Sequence, residues 1–331
     1  MKSIAVFNSK RGVGTTSVVY HLAWMYANLD YDVVVADLDP QANLTSMFLE
    51  DEELEERWAV DRTDGTIYSS LRPLLEGAGE VTKPLVVQPA PGMVLVAGDM
   101  LLSSAEDELH SNWPECLDEK PRAFRVLSAI WRVLRMVVDE GGADLILLDV
   151  GPNVGALNRA ALVAADHVVV PLAPDLYSLQ GLRNLGPTLR RWRREWSERR
   201  EHNPLTDLDL PGGGMQPIGY VVLQHAVRLN RRAIAYERWI DRIPRAYRES
   251  VVGDTEQRCP PMEEDPHCLA ILRHVRSLMP LAQEARKPMF ALKPADGAIG
   301  GHASAVRGCY RDFRALAREV ARRCEITASG T

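Results

Sequence analysis

At 331 residues the chain can bury a substantial core without a covalent or metal staple, and 46% hydrophobic with 25% charged residues excludes a disordered or fibrous protein. The formal charge of −6 excludes a uniformly basic surface, although arginine doublets at Arg190-Arg191, Arg193-Arg194, Arg199-Arg200, Arg231-Arg232 and Arg322-Arg323 gather positive charge in the second half. Five cysteines are scattered without paired metal-ligand spacing, and no apolar run reaches membrane-spanning length, so the expectation is a cytoplasmic protein with reduced thiols and no membrane contact.

In chain order, residues 3–7 read as a strand, 16–29 as a helix with Val18, Val19, Leu22, Ala23 and Tyr26 on one face, and 32–36 as a second buried strand. No secretory signal is expected before the first strand, nor a DNA-reading module, so operator-specific repression is not expected. Residues 51–57 are acidic and read as exposed, 66–75 as a helix, and 93–97 as a strand before the polar stretch 103–122. A helical pattern at 122–138 leads to Leu145-Ile-Leu-Leu148, a strand ending at Asp149, and 168–170 reads as another. Residues 179–200 form a long basic helix, 211–214 a loop, 219–223 a late strand, and 306–323 a closing helix with Phe313, Leu316 and Val320 on its apolar face. Residues 236–266 assign least well and read as an insertion. Apolar strands alternating with amphipathic helices predict one doubly wound α/β domain over 1–331, with a mostly parallel sheet covered on both faces and a ligand at the carboxyl ends of its strands.

Between the first strand and helix stands Asn-Ser-Lys-Arg-Gly-Val-Gly-Thr-Thr-Ser, residues 8–17. Glycines there allow backbone amides and the positive end of a helix dipole to converge on a phosphate, with the Thr16 hydroxyl placed for Mg²⁺. From the loop alone, a phosphate cradle and a plain turn capped by Thr16 or Ser17 stand level. The second strand breaks the tie: Asp37 and Asp39 lie at its end, where buried acids are costly without a cation or a chemical task.

The two segments 8–17 and 33–45 (Val-Val-Val-Ala-Asp-Leu-Asp-Pro-Gln-Ala-Asn-Leu-Thr) together resemble the ParA/MinD family of deviant Walker ATPases, and more narrowly its ParA partition branch. Residues 65–75, 95–109 and 143–182 are similar to further segments of that family, and 285–290 to its late nucleotide-side loop. The resemblance implies a SIMIBI-type P-loop fold, ATP and Mg²⁺ as ligands, a face-to-face homodimer around the nucleotide, DNA binding without sequence preference, and a ParB-like or cargo adaptor as partner. Carried onto this sequence, it makes Lys10 the signature lysine that reaches the partner's nucleotide. Gly12, Val13 and Gly14 become the phosphate cradle, with Arg11, Thr15 and Ser17 in the same loop. Thr16, Asp37 and Asp149 become the metal-side residues, and Asp39 the group that positions attacking water.

Two departures matter. Thr15 stands where the family has its P-loop lysine, and Arg11 where it usually has glycine. Losing one charge-assisted hydrogen bond of about 1.5–3 kcal/mol weakens ATP about tenfold to a hundredfold, so binding is expected to survive while hydrolysis is slow or absent. Arg11 also puts a side chain where the backbone would want a glycine conformation. Gly151 replaces a proline of the family pattern after Asp149. The alternative function is a catalytically inactive scaffold or adaptor dimer.

Arg190, Arg191, Arg193 and Arg194, with Trp192 and Trp196 between them, form a candidate DNA surface, against the alternative of a solvated helix face. Cys259, His267 and Cys268 are too few and too irregular for a metal site. Cys116, the one cysteine within residues 1–150, argues against an iron–sulfur reductase relative. The closing helix is expected to pack on the domain instead of anchoring it to a membrane.

Overall fold

The structure, a computed structural model, describes residues 1–59, 64–225, 238–254, 259–274 and 277–328. Within them runs an eight-stranded sheet of order β3-β4-β2-β5-β1-β6-β7-β8. Its strands are β1 (Lys2–Val6), β2 (Val33–Asp37), β3 (Val87–Ala90), β4 (Met93–Val96), β5 (Leu145–Asp149), β6 (His167–Leu172), β7 (Gln216–His225) and β8 (Cys268–His274). All neighbours pair in parallel except β3 with β4, which close a short antiparallel edge.

The helices follow from the same alternation. They are α1 (Thr15–Ala27), α2 (Asn43–Phe48), α3 (Asp51–Arg57), α4 (Ile67–Leu75), α5 (Ala105–Glu115), α6 (Pro121–Leu127), α7 (Ala129–Gly141), α8 (Ala156–Val163), α9 (Leu176–Glu201), α10 (Ile243–Tyr247), α11 (Met279–Glu284) and α12 (Gly301–Arg323). The apolar strands are buried on both sides, and successive residues feed opposite cores. Ile4, Val6, Val33, Val35, Leu145 and Leu147 meet α1 and α12, while Ala5, Phe7, Val34, Ala36, Ile146 and Leu148 meet the helices from α4 to α10. Phe313, Leu316 and Val320 of α12 are buried in the first core, so this helix packs on the domain as expected. Among the described residues no helix is long and apolar enough to cross a membrane.

Some elements differ from the sequence reading. The pattern at 122–138 is two helices, broken at Ser128, whose Oγ donates to Phe124 O at 2.7 Å. The polar stretch 103–122 is largely α5 and the start of α6. Strands β3 and β8 carried no sequence assignment. Of the stretch read as an insertion, 236–266, residues 238–254 lie between β7 and β8 and pack on α9 through Ile243, Tyr247 and Val251. Residues 236–237 and 255–258, and the Arg231-Arg232 doublet, lie outside the described residues.

Candidate nucleotide-binding site

Strand β1 runs through the middle of the sheet and releases the chain at its carboxyl edge, where residues 8–14 turn into α1. Gly12 and Gly14 have φ of 73° and 81°, left-handed values that side chains resist. Gly14 also has a contact reason: a Cβ there would lie 2.7 Å from Leu223 Cδ2. No side chain caps α1, which opens at Thr15, so its first amides keep their hydrogen-bonding capacity for a ligand. Arg11 is exposed and is not among the non-glycine residues with positive φ. The expected conflict between its side chain and a glycine conformation is therefore absent; the left-handed positions are its neighbours at 12 and 14. Val13 is buried, and Thr15, Thr16 and Ser17 are partly buried on the first turn of α1.

Below the loop, Asp37 and Asp149 stand in register at the ends of β2 and β5. Both carboxylate oxygens of Asp37 are hydrogen-bonded. Its Oδ2 accepts from Thr45 N at 2.8 Å and Thr45 Oγ1 at 2.7 Å, and its Oδ1 from Asp39 N at 3.3 Å. Gly98 is needed beside it, since a Cβ there would lie 2.8 Å from Asp37 Cγ. Asp149 is the opposite case: Thr16 hydrogen-bonds to it, yet its buried Oδ2 has no partner. Burial pushes Asp37 up to about 6 despite the Thr45 hydrogen bonds, and burial with the charges of Asp37 and Asp39 pushes Asp149 well above the carboxylate range. An orphaned carboxylate oxygen beside a second buried acid and a threonine hydroxyl fits Mg²⁺ of the nucleotide type, which takes one or two carboxylates and keeps waters and phosphates as its other ligands. Among the described residues no group of three or more His, Cys, Asp and Glu forms an all-protein metal cage, and Cys259, His267 and Cys268 are not one.

Asp39 is partly buried at the rim. Its Oδ1 accepts from Gln41 N at 3.0 Å and faces Gly151, where a Cβ would lie 3.0 Å from it. A proline at 151, as in the family pattern, would crowd that oxygen.

Lys10 is held within its own chain. Its Nζ forms an ion pair with Asp175 and lies 3.5 Å from Ser178 Oγ, while its amide donates to Asn8 Oδ1 at 3.0 Å. Asp175 is also the N-cap of α9, accepting from Ser178 N at 2.8 Å. Burial raises the Asp175 carboxyl, but Lys10 and Ser178 outweigh it and hold the group below the usual range.

The sequence reading missed several supporting groups. Thr45 and Asn8, whose Nδ2 donates to Pro171 O at 2.7 Å, lie inside the two quoted motifs and Asp175 inside the similar segment 143–182, but the sequence reading assigns none of the three a role. His21 lies one turn and a half into α1, fully buried. Its Nε2 accepts from Met289 N at 3.1 Å, which leaves Nδ1 protonated to donate to Ser17 O at 2.7 Å. It thereby ties α1 to the 285–290 loop.

Of the candidate DNA arginines, Arg190, Arg191 and Arg194 are exposed and Arg193 is partly buried. Trp192 and Trp196 belong to the core. Arg190 donates to Ser250 O at 2.9 Å and Val251 O at 3.0 Å, and Arg193 to Met215 O at 2.8 Å. Arg191, 3.9 Å from Glu195, and Arg194 are exposed.

A family model described as an AAA domain matches residues 1–201. The chromosome-partitioning ATPase Soj of Thermus thermophilus is 32% identical over 189 residues, covering 57% of this chain and 61% of its own length. The chromosome partitioning protein ParA of Caulobacter vibrioides is 28% identical over 201 residues, covering 61% and 67%. The matched region thus spans about three fifths of the Soj relative. Among solved structures, a Corynebacterium diphtheriae protein superposes with a TM-score of 0.68 at 20% identity over 98% of both chains. A putative plasmid partition protein of Borrelia burgdorferi, bound to AMPPNP, gives 0.59 at 15% identity over 97% of this chain and 99% of its own. These two likenesses establish the shared fold. The chain belongs to the ParA/MinD-type AAA-domain family of P-loop ATPases, on its ParA partition branch.

Proposed function

We propose that this chain binds ATP with Mg²⁺ at the carboxyl edge of β1, β2 and β5, dimerises face to face around the nucleotide, and in that form holds DNA or another cargo without reading sequence. The observation that carries the reading is the unpartnered, buried Oδ2 of Asp149 beside Asp37, a charge arrangement that a divalent cation relieves. Backbone amides from Gly12 to Thr16 receive the phosphates, and Thr16 and Asp149 hold the ion. Bound Mg²⁺ supplies charge neutralisation on the phosphate oxygens. Asp37 fixes the 39–45 turn through Thr45, and Asp39 orients the attacking water. Thr15 contributes no positive charge, so hydrolysis is slow.

Dimerisation is supported by apolar side chains on the same edge. Met100 and Leu101 follow β4, Val154 follows β5, and Leu176 and Tyr177 follow β6; all five are exposed, Tyr177 by 73%. Lys10 exchanges Asp175 for the partner's nucleotide. Arg191 and Arg194 supply contacts to the DNA backbone, and a ParB-like or cargo adaptor acts on the dimer.

The test is titration of a fluorescent ATP analogue with Mg²⁺. Wild type shows saturable, Mg²⁺-dependent binding, weakened about tenfold or more in Asp149→Asn. Absence of saturation at millimolar nucleotide contradicts the reading. A second reading, a scaffold dimer without turnover, is favoured by Thr15 at the head of α1; dimers of equal strength with and without nucleotide support it.

A further inference from the structure

Helix α8 begins behind Gly155, which has no side chain to cap it. Its cap comes from another helix. Glu106 of α5 accepts from Ala156 N at 2.5 Å with Oε1 and from Leu157 N at 2.9 Å with Oε2. Two otherwise orphaned amides and the positive end of the helix dipole favour a carboxylate there. A Cβ on Gly155 would lie against that carboxylate, so a side chain there would push the cap aside.

From the first turn of α8, buried Asn158 reaches back into the loop that follows Asp149. Its Nδ2 donates to Gly151 O at 2.5 Å and to Asn153 O at 2.8 Å. Gly151 in turn lies against Asp39. A continuous set of hydrogen bonds and contacts thus runs from α5, through the head of α8, to the rim of the candidate site. The other end of this set is the turn Met100–Ser104, which leads directly into α5 and exposes Met100 and Leu101 on the same edge of the sheet.

We infer that Glu106 is a positioning residue for the 150–155 loop, setting where the backbone around Gly151 meets the terminal phosphate of the nucleotide. The phosphate part rests on the nucleotide reading above; the loop part does not. Glu106 acts through α8 and touches no ligand itself. Glutamine at 106 keeps one acceptor but turns an NH₂ toward the second amide, so the head of α8 loses half of its cap without losing volume.

The experiment compares wild type, Glu106→Gln and the control Glu108→Gln, whose carboxylate pairs with Arg122 at 2.9 Å on the outside of the same helix. In nucleotide-free full-length chain, hydrogen exchange of peptides covering 150–158 quickens in Glu106→Gln while peptides of β1 and α1 keep their rates. Calorimetric titration with MgADP and Mg-AMPPNP then shows the preference for the triphosphate falling about tenfold in Glu106→Gln, a size typical of groups that orient a binding shell from outside it, and unchanged in Glu108→Gln. Equal weakening of both nucleotides, or unaltered exchange at 150–158, overturns the inference. If wild type binds neither nucleotide, the proposed function fails and the phosphate part of the inference with it, while the exchange result still decides whether Glu106 positions the loop.

Discussion

Asp37 and Asp149 end adjacent parallel strands in register, both fully buried, one with both carboxylate oxygens hydrogen-bonded and the other with an oxygen left over. Burial and the charges of Asp37 and Asp39 raise Asp149's hold on a proton, so ionising Asp149 in the metal-free protein is costly. Asp149→Asn removes this buried ionisable group and the cost it carries. Without metal or nucleotide at neutral pH, the variant melts at a higher temperature than wild type, by about 1–3 kcal/mol of stability. Adding Mg²⁺ with ATP raises the wild-type midpoint and leaves the variant nearly unmoved. Thermal unfolding monitored by circular dichroism in both conditions checks this. An unshifted or lower midpoint for metal-free Asp149→Asn contradicts it.

His21 sets a pH dependence of opposite sign. Burial holds its imidazole at about 4, against the hydrogen bond to Ser17 that favours the charged form. The unfolded chain, with an ordinary imidazole near 6.5, then binds the extra proton first as pH falls, so the stabilisation from neutral His21 is complete above about 6.5 and is lost down to about 4. The loss amounts to about 3 kcal/mol over that window. Asp37, raised to about 6, works the other way, favouring the folded state as pH drops through that value. Urea unfolding of wild type and His21→Gln at each pH cancels the carboxylate contribution. The wild-type advantage shrinks from pH 7 to pH 4, and a constant difference is the contrary result.

Lys10 and Asp175 form a partly exposed pair, so breaking it costs under about 1 kcal/mol. Asp175→Asn retains an oxygen for the α9 cap and frees Lys10. Its melting temperature stays close to that of wild type, while dimerisation in Mg-ATP strengthens about twofold to tenfold, because Lys10 no longer has to leave a partner before crossing to the other subunit. Sedimentation equilibrium reads the change; weaker dimers than wild type contradict it.

Thr15→Lys restores a cation at the head of α1. Affinity for ATP rises about tenfold to a hundredfold and phosphate release speeds up. Equal, fast turnover in both proteins shows that position 15 does not limit the reaction.

The arginines of α9 separate by partner. Arg191→Ala and Arg194→Ala weaken duplex DNA binding at low salt and flatten its salt dependence, with unfolding unchanged. Arg190→Ala and Arg193→Ala leave backbone carbonyls without donors and cost about 1 kcal/mol each. Fluorescence anisotropy across a salt series, beside urea unfolding, distinguishes the two pairs; DNA affinity flat between low and moderate salt removes DNA from the proposal.

Much of this architecture is legible in the sequence, because β1, β2, β5 and β6 are short apolar runs and the phosphate loop carries its glycines at fixed spacing. What escapes has identifiable causes. The pattern through 122–138 is continuous in side chains, and the break at Ser128, whose hydroxyl shares the Phe124 carbonyl with its own amide, leaves that periodicity unchanged. The arginine run of α9 hid a core face, although Leu182, Leu185, Leu189, Trp192 and Trp196 have the spacing of one. Asp37, Asp39 and Asp149 announce themselves by type and place. Thr45, Asp175 and Glu106 act through partners distant in sequence, at separations of 8, 165 and 50 residues, and only folding reveals them.

Static light scattering on a size-exclusion column, run without nucleotide, with ADP and with ATP plus Mg²⁺, tests the central claim most directly. The chain mass is 36.9 kDa. The account predicts that mass without nucleotide and with ADP, and twice that mass with ATP and Mg²⁺, reverting to the single chain in Asp149→Asn. One mass in all three conditions, single or doubled, contradicts an ATP-gated dimer.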